Sequence, residues 1–239
     1  MEINKEKIDI SGQTLSLEKQ IKINPVTDID IEKANFIFEK FQRIKTEFVA
    51  AKEVYKYYDE IFNCKEEDFK FDYLEIPSEQ LCDFAEKFDE EKWEKLTVEE
   101  KKFIVECTVY SVCKSLGIEY TPIVVYYNAV QSDCGGYNFK ENIMSLNESN
   151  LDNPKLIFNV ISHESWHAYQ KMHAFNPETQ KDVLYLLNFK YYVSPQKIDG
   201  KWVNFDSYEK QLLEAEARAF AREISEKVGM WYGYHKKLL

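Results

Sequence analysis

Residues 162–170 read Ser-His-Glu-Ser-Trp-His-Ala-Tyr-Gln, and the two histidines constrain this chain more than any other pair of residues. His163 and His167 are four apart. On an α-helix that spacing puts them one turn apart on the same face, where two imidazoles can hold one metal ion. Glu164 points about a quarter-turn round the helix. It is placed to reach a water on the metal rather than the metal itself. Zinc in such a site keeps an open fourth position and lowers the pKa of its bound water. Glu164 would take that water's proton and pass it to a leaving group.

The surrounding sequence predicts a helix at this place. Ile123-Val124-Val125-Tyr126-Tyr127 reads as a buried strand. A Gly135-Gly136 pair then permits a turn or bulge and close backbone approach. Asn142–Asn147 alternates as a second short strand. Asp152 or Asn153 caps a helix with Pro154 at its first position, and Leu156, Ile157, Val160 and Ile161 carry it into the His pair. It ends near Asn176-Pro177. The motif therefore lies mid-helix on an apolar base, where a metal site is partly dehydrated.

Upstream, residues 1–27 suggest an extended piece. Apolar residues then recur at helical steps from Asp28 to about Phe62. Residues 63–77 read as a loop or short strand, and a second helix starts at Ser78. Thr97 and Glu100 form a capping box for a third, which stops at Gly117. Downstream, a helical stretch follows Pro177, and Asp199-Gly200 signals a hairpin. A last helix begins near Asp206 or Ser207, with an apolar stripe of Leu213, Ala217, Phe220, Ile224 and Val228, and ends at Gly229.

Composition excludes several classes. With 239 residues, 44% hydrophobic and 31% charged, the chain is globular rather than disordered. A net charge of −11 argues against nucleic acid or an anionic membrane as main partner. No run approaches the roughly 18 apolar residues that span a bilayer. The first residues carry both charge signs with no apolar stretch behind them, so no secretory signal is expected. Five irregularly spaced cysteines read as reduced, cytoplasmic thiols, Cys134 among them as a packed one.

A catalytic zinc site takes a third protein ligand, and His₂Glu is one established set. The last helix offers Glu214 and Glu216. Glu214 is preferred and Glu216 is the alternative. Small residues beside Glu214 allow close packing against the His helix, and Arg218, four residues on, can hold its carboxylate from behind. For a developing oxyanion, donors are available in Tyr191, Tyr192, Tyr208, Tyr232 and His235.

The HESWHAYQ stretch followed by Glu214-Ala215-Glu216-Ala217-Arg218-Ala219-Phe220-Ala221 resembles the zincin metallopeptidases of the gluzincin kind. It is more narrowly similar to small bacterial and phage zincin-like proteins, whose downstream helix reads E-x-x-A-x-x-F-A with its first Glu as third ligand. That resemblance, over about residues 118–228, implies zinc bound by His163, His167 and Glu214, with Glu164 as general base. It also likens the Gly135–Asn147 region to the substrate-edge strand of zincins. The Gly and Met-turn of metzincins are missing, and His173 reads as a helix-end residue. The expectation is an α+β chain: a helical part over 1–116, then a zincin-like domain over 117–239 with a short mixed sheet. Its function would be zinc-dependent hydrolysis of a peptide or protein substrate, with no nucleic-acid or membrane partner. A zincin-fold interaction protein with little or no catalysis is the alternative.

Overall fold

The computed structural model describes residues 57–71, 76–128, 134–198 and 201–229. The readings made for residues 1–56, for Asp199-Gly200 and for the tail with Tyr232 and His235 lie outside them. The described chain is α+β, with a small sheet among several helices.

Among the described residues four helices precede the sheet: α1 (Tyr58–Phe62), α2 (Ser78–Lys87), α3 (Glu90–Trp93) and α4 (Val98–Ser115). A short 3-10 turn, Glu66–Asp68, follows α1 where the sequence suggested loop or strand. The start of α4 is a local affair. Glu100 N–H donates to Thr97 Oγ1, and Thr97 N–H donates to Glu100 Oε2 at 2.8 Å. Both ends of this reciprocal cap satisfy donors that the helix leaves orphaned. Gly117 closes the C-terminus at φ +71, a left-handed conformation that costs glycine nothing.

The sheet has the order β1-β3-β2, from β1 (Ile123–Tyr127), β2 (Gly135–Asn138) and β3 (Ile143–Asn147). β1 runs parallel to β3, and β2 antiparallel. This corrects the reading of β1 as a buried strand: among the described residues it is an edge, and Ile123 is 65% exposed. β-branched and aromatic residues favour any pleated, half-covered surface. Edge or centre is decided by pairing, which the local sequence does not carry.

The centre of the molecule is α5 (Pro154–Phe175), 22 residues long. Leu156 N–H donates to Asn153 Oδ1 at 3.0 Å, so Asn153 rather than Asp152 is the cap. Asp152 instead meets the buried Lys101. Buried side chains occupy most of the circumference of α5, as expected of a helix covered on all sides. α4, β2, α6 (Gln180–Lys190) and α8 (Leu212–Lys227) all pack on it. Residues on both sides of position 116 share one core, from Phe84, Phe88, Trp93 and Val109 to Met144, Phe158, Ile161, Trp166 and Phe220. Trp166 stacks on Phe220 with ring centroids 4.5 Å apart, and Phe71 stands edge-on to both.

A second correction concerns the last helix. It is two pieces, α7 (Phe205–Glu209) and α8, broken at Lys210-Gln211. The β4 (Lys197–Ile198) and β5 (Lys201–Trp202) pair precedes them. Gln211 is extended because its side chain is held elsewhere. Val193 N–H donates to Gln211 Oε1 at 3.0 Å, and Gln211 Nε2 donates to Val193 O at 2.8 Å. Asn188 Oδ1 accepts from Leu213 N–H at 2.8 Å and thereby caps α8. Among the described residues no helix is long and apolar enough to cross a membrane.

Candidate metal centre

Two helices build the site. α5 presents His163 and His167 one turn apart, and the first turn of α8 presents Glu214 to both. His163 Nε2 and His167 Nε2 are 3.0 Å apart, with their rings nearly perpendicular at 87°. Glu214 Oε2 lies 3.4 Å from His163 Nε2, and Glu214 Oε1 lies 3.3 Å from His167 Nε2. His163, His167 and Glu214 form the group of ligand-type side chains among the described residues that could hold a metal ion.

The donor set fits zinc. Nitrogen and oxygen donors about 2.1 Å from a tetrahedral ion stand about 3.4 Å from one another, close to the spacings seen. Glu214 is 1% exposed, and its Oε2 makes no hydrogen bond. A carboxylate oxygen buried without a donor is costly unless a cation answers it. In the metal-free chain the two imidazoles do so. Burial pushes the Glu214 carboxyl up, but His167 and His163 outweigh it and hold its pKa well below the ordinary range. Burial likewise pushes His167 down, yet the Glu214 charge prevails and raises it to about 9. Glu164, buried beside them, moves up: desolvation dominates, and His163 and His167 offset only part of it.

Tyr192 donates its hydroxyl to Glu214 Oε1 at 2.6 Å. The Gln211 clip on Val193 fixes the backbone next to it. Tyr208 packs edge-on to Tyr192 with centroids 6.3 Å apart. Burial and then the Glu214 charge raise both phenols above their usual range. Tyr191 does not join them: it is 45% exposed, under the Lys190 ammonium.

Arg218 sits 3.8 Å from Glu214 Oε2 through Nη1, but its closer partners are elsewhere. Nε donates to Glu66 Oε1 at 3.1 Å, and Nη2 donates to Glu209 O. Arg222 Nη1 also meets Glu66, at 2.9 Å. The arginine expected behind Glu214 is thus anchored by an acidic residue far upstream. Glu216, the alternative ligand, points away from the metal group. Its Oε2 accepts from Trp166 Nε1 at 3.0 Å and from the Tyr185 hydroxyl at 2.6 Å, and Lys181 pairs with Oε1. His173 ends α5 with Nδ1 3.2 Å from Asp182 Oδ1, bridging to the start of α6. The Cys134 side chain packs against the main core.

Sequence reasoning passed over Gln170, Tyr185, Lys181, Gln211 and Glu66. Gln170 carried a usable signal, since it lies three residues beyond His167 on one helix face. Glu66 and Lys181 carried none, because their partners are distant in sequence.

No protein-family model, curated protein or solved structure matches this chain.

Proposed function

We propose that this protein is a zinc-dependent hydrolase with a zincin-like core, acting on peptide bonds. One observation carries the reading: two histidines from α5 and a glutamate from α8 converge with tetrahedral spacing, with a buried Glu164 beside them. His163 Nε2, His167 Nε2 and Glu214 would hold the ion. Zinc there supplies Lewis acidity for a carbonyl and makes a water acidic near neutral pH.

The chain's own groups do the rest. The Glu164 carboxylate, whose pKa burial raises, is matched to accept a proton from water and return it to the departing amine. Tyr208, held beside Tyr192, is a phenol kept protonated, hence a donor for charge that develops on the carbonyl oxygen. Tyr192 gives its one O–H to Glu214 and fixes that carboxylate. Arg218, braced by Glu66, adds positive charge behind it. An acidic chain with a net charge of −11 suits a peptide better than a polyanion.

Glu164→Gln tests the mechanism. It keeps the shape and the zinc but loses the base, so hydrolysis of a peptide library should stop while zinc content stays at wild-type level. Full activity in that variant would sink the assignment.

A further inference from the structure

Gln170 is fully buried, three residues past His167 on the same helix. One end of its amide lies 3.1 Å from Leu213 O and 3.0 Å from Glu216 Oε2. Both neighbours are acceptors, so this end must be the NH₂ group. The other end is then the carbonyl, and it lies 2.8 Å from His167 Nδ1. An amide oxygen can only accept. Nδ1 must therefore carry a proton in either charge state, and once the ring is neutral it is Nε2, on the side of His163 and Glu214, that holds the lone pair.

Glu216 makes that orientation the stable one. Trp166 and Tyr185 also donate to it, and the Lys181 ammonium sits on its other oxygen. With these donors and a cation around it, the carboxylate meets Gln170 only as an acceptor. Were the amide reversed, its oxygen would face Glu216 Oε2 and Leu213 O, and its NH₂ would demand a bare Nδ1. That would place the His167 proton on Nε2, where a metal cannot use it.

We propose that Gln170 and Glu216 are positioning residues that select the metal-binding tautomer of His167. Glu214 and Glu216 sit two residues apart on α8, so on nearly opposite sides of it. One serves as ligand to the metal, and the other acts through Gln170 on a ligand of the neighbouring helix. The proposal rests on the zinc-site reading above.

The test measures zinc affinity by competition with a chromophoric chelator, on full chains checked for folding by thermal melting. Wild type is compared with Gln170→Ala, Glu216→Leu and Glu216→Gln. Loss of the support should weaken zinc binding by about 10–100-fold in Gln170→Ala and Glu216→Leu. Glu216→Gln, which keeps an acceptor for Gln170, should stay near wild type. In parallel, nitrogen-15 NMR of the zinc-loaded protein should show a His167 Nδ1–H proton protected from solvent exchange in wild type and exchanging freely in Gln170→Ala. A role confined to core packing would lower the melting point without moving that proton. If Glu216→Leu does not fold, Gln170→Ala against Glu216→Gln decides. Equal zinc affinity and equal protection in wild type and Gln170→Ala overturn the proposal and leave the zinc site standing. A wild-type chain that takes up no zinc overturns both.

Discussion

Gly135→Ala and Gly136→Ala are neighbouring substitutions in β2 that should act with opposite sign. A Cβ on Gly135 would stand 2.8 Å from Val160 Cγ1, 3.0 Å from Ser145 O and 3.1 Å from Leu146 Cδ2. The first is closer than side chains come, and the second is backbone in the paired strand β3, so the strand must shift. Overpacking of this kind costs about 1–3 kcal/mol. For a chain of this size that lowers the melting temperature by roughly 2–12 °C. A Cβ on Gly136 meets nothing within 4 Å, and it removes freedom from the unfolded chain, worth about 0.4–1 kcal/mol of added stability. Calorimetry on both variants is the assay. Val160 lies on α5 one turn before His163, so Gly135→Ala should also weaken zinc binding, and Gly136→Ala should not. Equal melting temperatures for the two variants would refute the claim that β2 is seated directly on α5.

Tyr192→Phe removes a short hydrogen bond to a buried carboxylate, a contact worth about 1.5–3 kcal/mol. It should raise the zinc dissociation constant about tenfold or more in chelator competition, while Tyr191→Phe changes nothing. The pH dependence follows from His167. Its folded pKa of about 9 lies above the usual 6.5, so in the metal-free chain its stabilisation is complete below pH 6.5. That stabilisation disappears as pH rises through 9. Denaturant titrations of the apo protein should show this fall between the two values. Zinc needs the neutral imidazole, so binding near pH 7.5 should release about one proton. Calorimetry in buffers of different ionisation enthalpy reads that proton directly, and zero release would contradict the His167–Glu214 coupling.

What the sequence revealed follows the range of the interactions involved. Thr97 with Glu100, the Asn153-Pro154 start, and Gly117 each act within one helical turn, and each was legible, save that Asp152 and Asn153 stood as equal candidates for the cap. So was the His pair, because helical geometry alone brings the rings together. The edge position of β1 was not, because pairing with β3 is a long-range matter. The break before α8 was hidden for a similar reason: Gln211 is held open by Asn188 and Val193, about twenty residues earlier. Choosing between Glu214 and Glu216 required knowing which side of α8 meets the histidines. Both are buried, so polarity gave no guide. Trp166, Tyr185 and Lys181 occupy Glu216, and Glu214 faces the imidazoles. The anchoring of Arg218 by Glu66 spans 152 residues and left no pattern to read.

The most direct test of the central claim is the metal content of the purified chain. Elemental analysis after mild dialysis would compare wild type with Glu214→Ala. About one zinc per chain, lost in Glu214→Ala, is the predicted result. A wild type that holds no zinc even after the metal is added back, or a variant that holds as much as wild type, would contradict it.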